Sequence, residues 1–142
     1  MKLLALDIGD KRIGLATTDE LGVAVWPQET ILRKELEQDL LKLVDLIKEG
    51  SIQGLVVGLP FHADGRESAQ AKKIKTFVSQ LQKKILQENL QISLEWCDEG
   101  LTSWEAEQKL TEKGFKGKKR KAKVDALAAC LILEDYLARK PS

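Results

Sequence analysis

The stretch LALDIGDKRIGLA, residues 4 to 16, is apolar until Asp7, turns through Gly9, and resumes its apolar character behind Lys11 and Arg12. Three further acids have similar settings. Asp98 and Glu99 follow an apolar segment in WCDEGLTS, and Asp125 opens KVDALAACLIL among small and apolar residues. Each acid alone has an ordinary role: Asp7 as a turn former, Asp98 as a helix cap, Glu99 as solvated surface, Asp125 as a favourable charge at a helix N-terminus. If the chain brings Asp7, Glu99 and Asp125 to one place, their mutual repulsion calls for a divalent cation. Carboxylate oxygens suit hard ions such as Mg²⁺ or Mn²⁺. Two such ions about 4 Å apart activate water and stabilise the leaving oxygen of a phosphodiester.

The basic tract KGKKRKAKVD, residues 116 to 125, places Lys118, Lys119, Arg120 and Lys121 just ahead of Asp125. A run of this kind is often only a solvated face. Beside the acids it favours a polyanionic partner, bound through phosphates without sequence information and more weakly as salt rises. The tract is expected to be disordered until such a partner binds. Arg12 offers a planar donor for a phosphate at the turn where Gly9 permits close approach.

For these residues to meet, the elements must converge. Residues 3 to 8, 12 to 18 and 23 to 26 read as strands, and connections as short as Gly9 to Lys11 and Asp19 to Gly22 require antiparallel neighbours. Pro27 either ends the third ladder or marks an edge strand. Leu36, Leu40, Leu43, Val44 and Ile47 then recur at helical spacing, with Gly50 as a C-terminal cap. GLVVGLP at 54 to 60 is a strand; Ile74, Phe77, Val78, Leu81 and Ile85 define the inward face of a helix; ISLEW at 92 to 96 is another strand. Alternation of this type gives parallel pairing with right-handed crossovers. A short helix is expected at TSWE, where Thr102 and Glu105 have capping-box spacing, and a final helix from about 122 to 138. The order is βββαβαβα, an α/β fold with a five-stranded mixed sheet in the order 3-2-1-4-5, its second strand antiparallel. Ligands of such sheets bind beyond the carboxyl ends of the parallel strands, where Asp7 and the Asp98-Glu99 pair fall. The fourth strand lies between those of Asp7 and Glu99, leaving about 9 to 10 Å between backbones, so Glu99 must lean inward.

Composition sets the outer bounds. The 142 residues suit one domain, 1–142, able to bury a core without metals or disulfides. With 23 basic and 22 acidic residues, net charge predicts no partner and only local clustering does. No apolar run approaches the roughly 20 residues of a membrane span. A soluble, cytoplasmic protein without a membrane partner is expected. Cys97 and Cys130 lack metal-site or disulfide spacing and read as buried filler. His62, the only histidine, reads as a loop residue, and Trp26, Trp96 and Trp104 as core or sheet-edge residues rather than a base-stacking platform.

ALDIGDKRIGLATTD, VVGLPFHADGRES, DEGLTSWEAE and KVDALAACLILEDYL, in this order, resemble the successive motifs of the YqgF (RuvX) family. These are bacterial Holliday-junction-resolvase-like proteins described as pre-16S rRNA nucleases. The resemblance spans nearly the whole chain and implies a ribonuclease H-like fold. It also implies metal-dependent phosphodiester hydrolysis in structured nucleic acid, first of all 5′-end maturation of pre-16S rRNA in ribosome biogenesis. By the same resemblance Asp7 matches the first-strand acid, Glu99 the acid after the fifth strand and Asp125 the last-helix acid. Gly9, Lys11, Arg12 and Gly14 match the first motif. Asp10 stands where the family usually has Thr or Ser, and Gly100 where it usually has Arg, which removes a planar phosphate donor. Resolution of branched DNA junctions and binding without cleavage remain as alternatives. An actin-like ATPase or sugar kinase, suggested by LDIGDKRIGLA as a phosphate hairpin, would need a second lobe. The expected partners are structured RNA or branched DNA, with a pre-ribosomal particle as a setting, for a monomer or homodimer.

Overall fold

The computed structural model describes residues 1–60, 68–98 and 117–139, with 117–122 described by their backbone alone. Among these residues the order is β1 (Leu3–Ile8), β2 (Arg12–Thr18), β3 (Val25–Pro27), β4 (Ile31–Leu32), α1 (Leu36–Glu49), β5 (Gly54–Leu59), α2 (Ala69–Gln87), β6 (Ser93–Asp98) and α3 (Gly117–Arg139). The short helix expected at TSWE lies outside the described residues.

The sheet follows the path β3-β2-β1-β5-β6, the predicted 3-2-1-4-5 arrangement. β2 is antiparallel to β1 and β3, while β1, β5 and β6 run parallel. Its described strands number six rather than five, because β4 pairs with the start of β2 through Arg12↔Leu32 and Ile13↔Ile31. Two residues are too few to show a strand alternation in sequence. β3 begins two residues later than expected, since Asp19 draws Val23 into the turn, accepting a hydrogen bond from its backbone N–H at 2.9 Å. Gly22, with φ of 73°, supplies the left-handed step of that turn. Pro27 ends β3 on an outer strand, where its missing N–H costs no ladder bond.

Alternation along β1 assigns its side chains to two cores. Leu4, Leu6 and Ile8 join Leu40, Leu43, Val44 and Ile47 of α1 and Ile74, Phe77, Val78, Leu81 and Ile85 of α2. Leu3 and Ala5 face the other way, against Ala129, Cys130, Ile132 and Leu133 of α3. Asp7 continues the second set by the period of two. Leu36, expected inward, is 41% exposed as the first residue of α1.

Both α1 and α2 end in the six-to-one and five-to-two hydrogen bonds of a Schellman motif. After α1 the Ile52 and Ser51 N–H groups donate to the Ile47 and Lys48 carbonyls, at 3.0 and 3.2 Å. Gly50 caps the helix in right-handed geometry, while Ser51 takes the left-handed φ of 52°. After α2 the Leu90 and Asn89 N–H groups donate to the Ile85 and Leu86 carbonyls, with Asn89 at φ of 57°. These stops turn the chain back into β5 and β6 with Ile52 and Leu90 packed on the core.

The last helix starts at Gly117, earlier than the expected 122, so residues 117 to 121 of the basic tract lie on a helical backbone. Small residues let α3 lie close over the sheet: Ala128 and Ala129 are fully buried, beside the larger Ile132. At Gly14 the helix comes so near that any added Cβ would collide with the backbone carbonyl of Asp125 and lie 2.9 Å from its Cβ. Backbone cannot yield as a side-chain tip can. Gly14→Ala is therefore expected to lower unfolding stability by about 1 to 3 kcal/mol through overpacking, read as a drop in Tm. An unchanged Tm would show that α3 is not seated at this distance.

Candidate active site

Asp7 lies near the carboxyl end of β1, paired in register with Gly14 of β2. Paired residues of antiparallel strands direct their side chains to the same face. The missing side chain of Gly14 opens that face, and Asp125 of α3 sits over the opening. One glycine thus lets carboxylates from opposite ends of the chain share a side of the sheet.

Arg12 lies two residues before Gly14 on the same face, and its Nε donates to Asp125 Oδ2 at 2.8 Å. The two side chains are only 28% and 21% exposed, so screening by water is incomplete. Arg12, expected to meet a substrate phosphate, is held here as the counter-ion of a proposed metal ligand. A guanidinium has five N–H donors, and this bond uses one of them. Lys11, at the tip of the turn, is exposed.

The turn between Asp7 and Arg12 is fixed from beneath. Gly9 N–H donates to the Arg12 carbonyl at 2.8 Å, and a Cβ on Gly9 would sit 3.0 Å from that oxygen. Arg33, just after β4, donates through Nη1 to the Gly9 carbonyl at 2.7 Å and through its backbone N–H to the Lys11 carbonyl at 2.8 Å. Its guanidinium packs 4.8 Å from the Phe77 ring centroid and lies 3.7 Å from Asp39 Oδ2. Asp39 is 3% exposed and also accepts the Lys34 N–H at 3.0 Å. Neither Arg33 nor Asp39 was singled out in the sequence. The available signal was Asp39 itself, a charge three residues after Leu36 and one before Leu40, on the inward stripe of an amphipathic helix.

The other expected site residues divide clearly. Asp98 is paired with Leu59, whose side chain belongs to the α1 and α2 core, so alternation directs Asp98 away from the face of Asp7. Lys118, Lys119, Arg120 and Lys121 fall in the opening turns of α3, the last of them one turn ahead of Asp125. Their side chains, together with Glu99, Gly100, His62 and Trp104, lie outside the described residues. Trp26 and Trp96 are on the two outer strands β3 and β6, 58% and 39% exposed, as sheet-edge residues.

Cys97 and Cys130 are both buried and form no disulfide. Burial, and then the Asp135 carboxylate that accepts its S–H at 3.4 Å, push the Cys97 thiol up to about 11, which keeps it protonated and inert at neutral pH.

Among the described residues, no group of three or more His, Cys, Asp or Glu side chains forms a metal cluster. The donor set nevertheless fits a hard divalent cation. Asp7 and Asp125 offer carboxylate oxygens on one face, and the third acid, Glu99, follows directly on the last described residue of β6. No described helix is long and apolar enough to cross a membrane.

The comparisons with known proteins match this arrangement in fold and family. The RuvX family model, described as Holliday junction resolvase, matches residues 1–139. A protein of Halothermothrix orenii named "Putative pre-16S rRNA nuclease" is 39% identical over 137 residues, covering 96% of this chain and 94% of its own. One of the same name from Syntrophus aciditrophicus is 38% identical over 137 residues, covering 96% and 88%. Among solved structures, RuvC of T. thermophilus in complex with Holliday junction substrate has a TM-score of 0.58 at 13% identity, covering 98% of this chain and 95% of RuvC. Fowlpox virus resolvase in complex with Holliday junction DNA gives 0.54 at 13% identity, covering 97% of each chain. At such identity the structural likeness is one of fold, the ribonuclease H-like fold of the resolvases. With a family model spanning nearly every residue and relatives well above a third identical, the chain belongs to the RuvX family.

Proposed function

We propose that this chain is a divalent-metal-dependent endonuclease that hydrolyses phosphodiester bonds in structured nucleic acid in the cytoplasm. Its substrate is the 5′ end of the 16S rRNA precursor, met within a pre-ribosomal particle. The observation that carries this reading is the placement of Asp7 and Asp125 on one face, with Gly14 removing the side chain that would separate them. The name of the relatives, pre-16S rRNA nuclease, supports RNA as the polymer.

Asp7, Glu99 and Asp125 are the residues proposed to hold the metal and carry catalysis. A pair of Mg²⁺ or Mn²⁺ ions bound there would supply an activated water and stabilisation of the leaving oxygen. Arg12 balances the charge of Asp125 and, with Lys11, presents donors to phosphate oxygens at the turn. Lys118, Lys119, Arg120 and Lys121 draw in the polyanion from the start of α3. The description of the family model, Holliday junction resolvase, makes branched DNA the second substrate to test. A two-fold symmetric junction would suit a homodimer.

End-labelled precursor-type RNA and a four-way DNA junction should be incubated with the protein in Mg²⁺, Mn²⁺ or EDTA. Metal-dependent cutting of the RNA is expected, lost in both Asp7→Asn and Asp125→Asn. Cutting in EDTA, or at the wild-type rate by either variant, contradicts the assignment. Preferential cutting of the junction would move the substrate to branched DNA, and binding without cutting would leave a non-catalytic module. Asp125→Asn should also lose about 1 kcal/mol of stability, because the partly buried Arg12 keeps an acceptor but loses its counter-charge.

Replacing Lys118, Lys119, Arg120 and Lys121 by Ala should weaken RNA binding and flatten its dependence on salt. An unchanged slope of log affinity against log salt would reduce the tract to a solvated face.

A further inference from the structure

On the other side of the Gly9–Lys11 turn from Asp125 lies a groove of about 480 Å³, between the turn and the first two turns of α2. Its polar lining is Asp10, Arg33, Gln70, Lys72, Lys73 and Thr76. Arg33 is already paired with the buried Asp39, so Lys72 and Lys73 against Asp10 leave the groove one positive charge in excess. The acid restrains little. Asp10 lies 3.8 Å from Lys73, with both side chains about two-thirds exposed, a loose pair that an arriving anion can replace.

Arg33 is the fixed member. Its bond to the Gly9 carbonyl and its packing on Phe77 hold the guanidinium in place, and those contacts leave N–H donors over. Lys72 and Lys73 stand above it on exposed stems at the start of a helix capped by Ser68, where the positive end of the backbone dipole adds to their field. The described lining contains no aromatic ring, so it offers a base nothing to stack on. Cationic donors in an open groove without a stacking platform are suited to phosphate and sugar.

We propose that this groove binds the phosphate backbone of the substrate beyond the scissile position, through Lys72 and Lys73, with Arg33 as its immobile floor. The inference rests on the reading of the substrate as nucleic acid and adds where the strand goes. A strand with one phosphate at Asp7 crosses the Gly9–Lys11 turn and settles its neighbours on the α2 side, while the basic start of α3 holds it on the other. The chain therefore grips both flanks of the cut and needs no base contact to do so.

The test is binding of labelled structured RNA by fluorescence anisotropy across a salt series, in Ca²⁺ or EDTA so that no cutting intervenes. Wild type is compared with Lys72→Ala/Lys73→Ala and with Lys42→Ala/Lys83→Ala, which removes two exposed lysines outside the groove. Loss of two phosphate contacts should make the slope shallower by about 1.4 for single-stranded RNA and about 1.8 for a duplex. The groove variant is expected to show this change with an unaltered Tm, and the control variant to keep close to the wild-type slope. Equal slopes in all three proteins, or equal flattening in both variants, would overturn the groove as a site. Failure of the wild type to bind any nucleic acid would instead overturn the functional reading itself.

Discussion

At Gly14 the last helix comes so close to the sheet that a single methyl group would strike the Asp125 carbonyl. The other features of the proposed site follow from that contact. Asp7 is paired with Gly14, so the closeness that seats the helix also carries Asp125 to the side of Asp7. Ala128 and Ala129 make the approach possible further along α3. Glycine and alanine are therefore as necessary to this arrangement as the acids, since a larger residue at position 14 would lift the helix and separate the carboxylates.

Gathering carboxylates raises a problem of charge, which the protein answers with arginines anchored near one turn. Arg12 neutralises Asp125 from the β2 side, and Arg33 ties the Gly9 and Lys11 carbonyls to the buried Asp39 on the opposite face. A buried carboxylate is costly unless its oxygens are satisfied, and removing its partner would leave that cost uncompensated. Asp39 and Arg33 are thus coupled to the shape of the turn, and through it to the position of Asp7. The turn stands between the face of Asp7 and Asp125 and the groove lined by Lys72 and Lys73.

Much of this was legible in the sequence because the signals were local. Asp7 interrupting an apolar run, the switch from period two to helical spacing at Leu36, and the small residues after Asp125 each pointed to their place. The strand path could be inferred because brief turns demand antiparallel neighbours and helices between strands demand parallel ones. What stayed hidden was relational. Ile31–Leu32 becomes a strand only because β2 offers it an edge, and Arg33 acquires its role only when Gly9, Phe77 and Asp39 meet around it. Spacing likewise gave no sign that Arg12 would pair with a residue more than a hundred positions away. Asp98, adjacent to Glu99, looked like a member of the same edge, and only its register with Leu59 showed that it faces the other core.

The proposed function depends on the carboxylates seated around Gly14 binding a divalent cation. The most direct measurement is titration of the protein with Mn²⁺, followed by electron paramagnetic resonance of the free ion, for wild type and Asp125→Asn without nucleic acid. Saturable Mn²⁺ uptake by the wild type is expected, displaced by Mg²⁺ and lost or strongly weakened in the variant. Uptake unchanged by the substitution, or no uptake by the wild type, would contradict the proposed function.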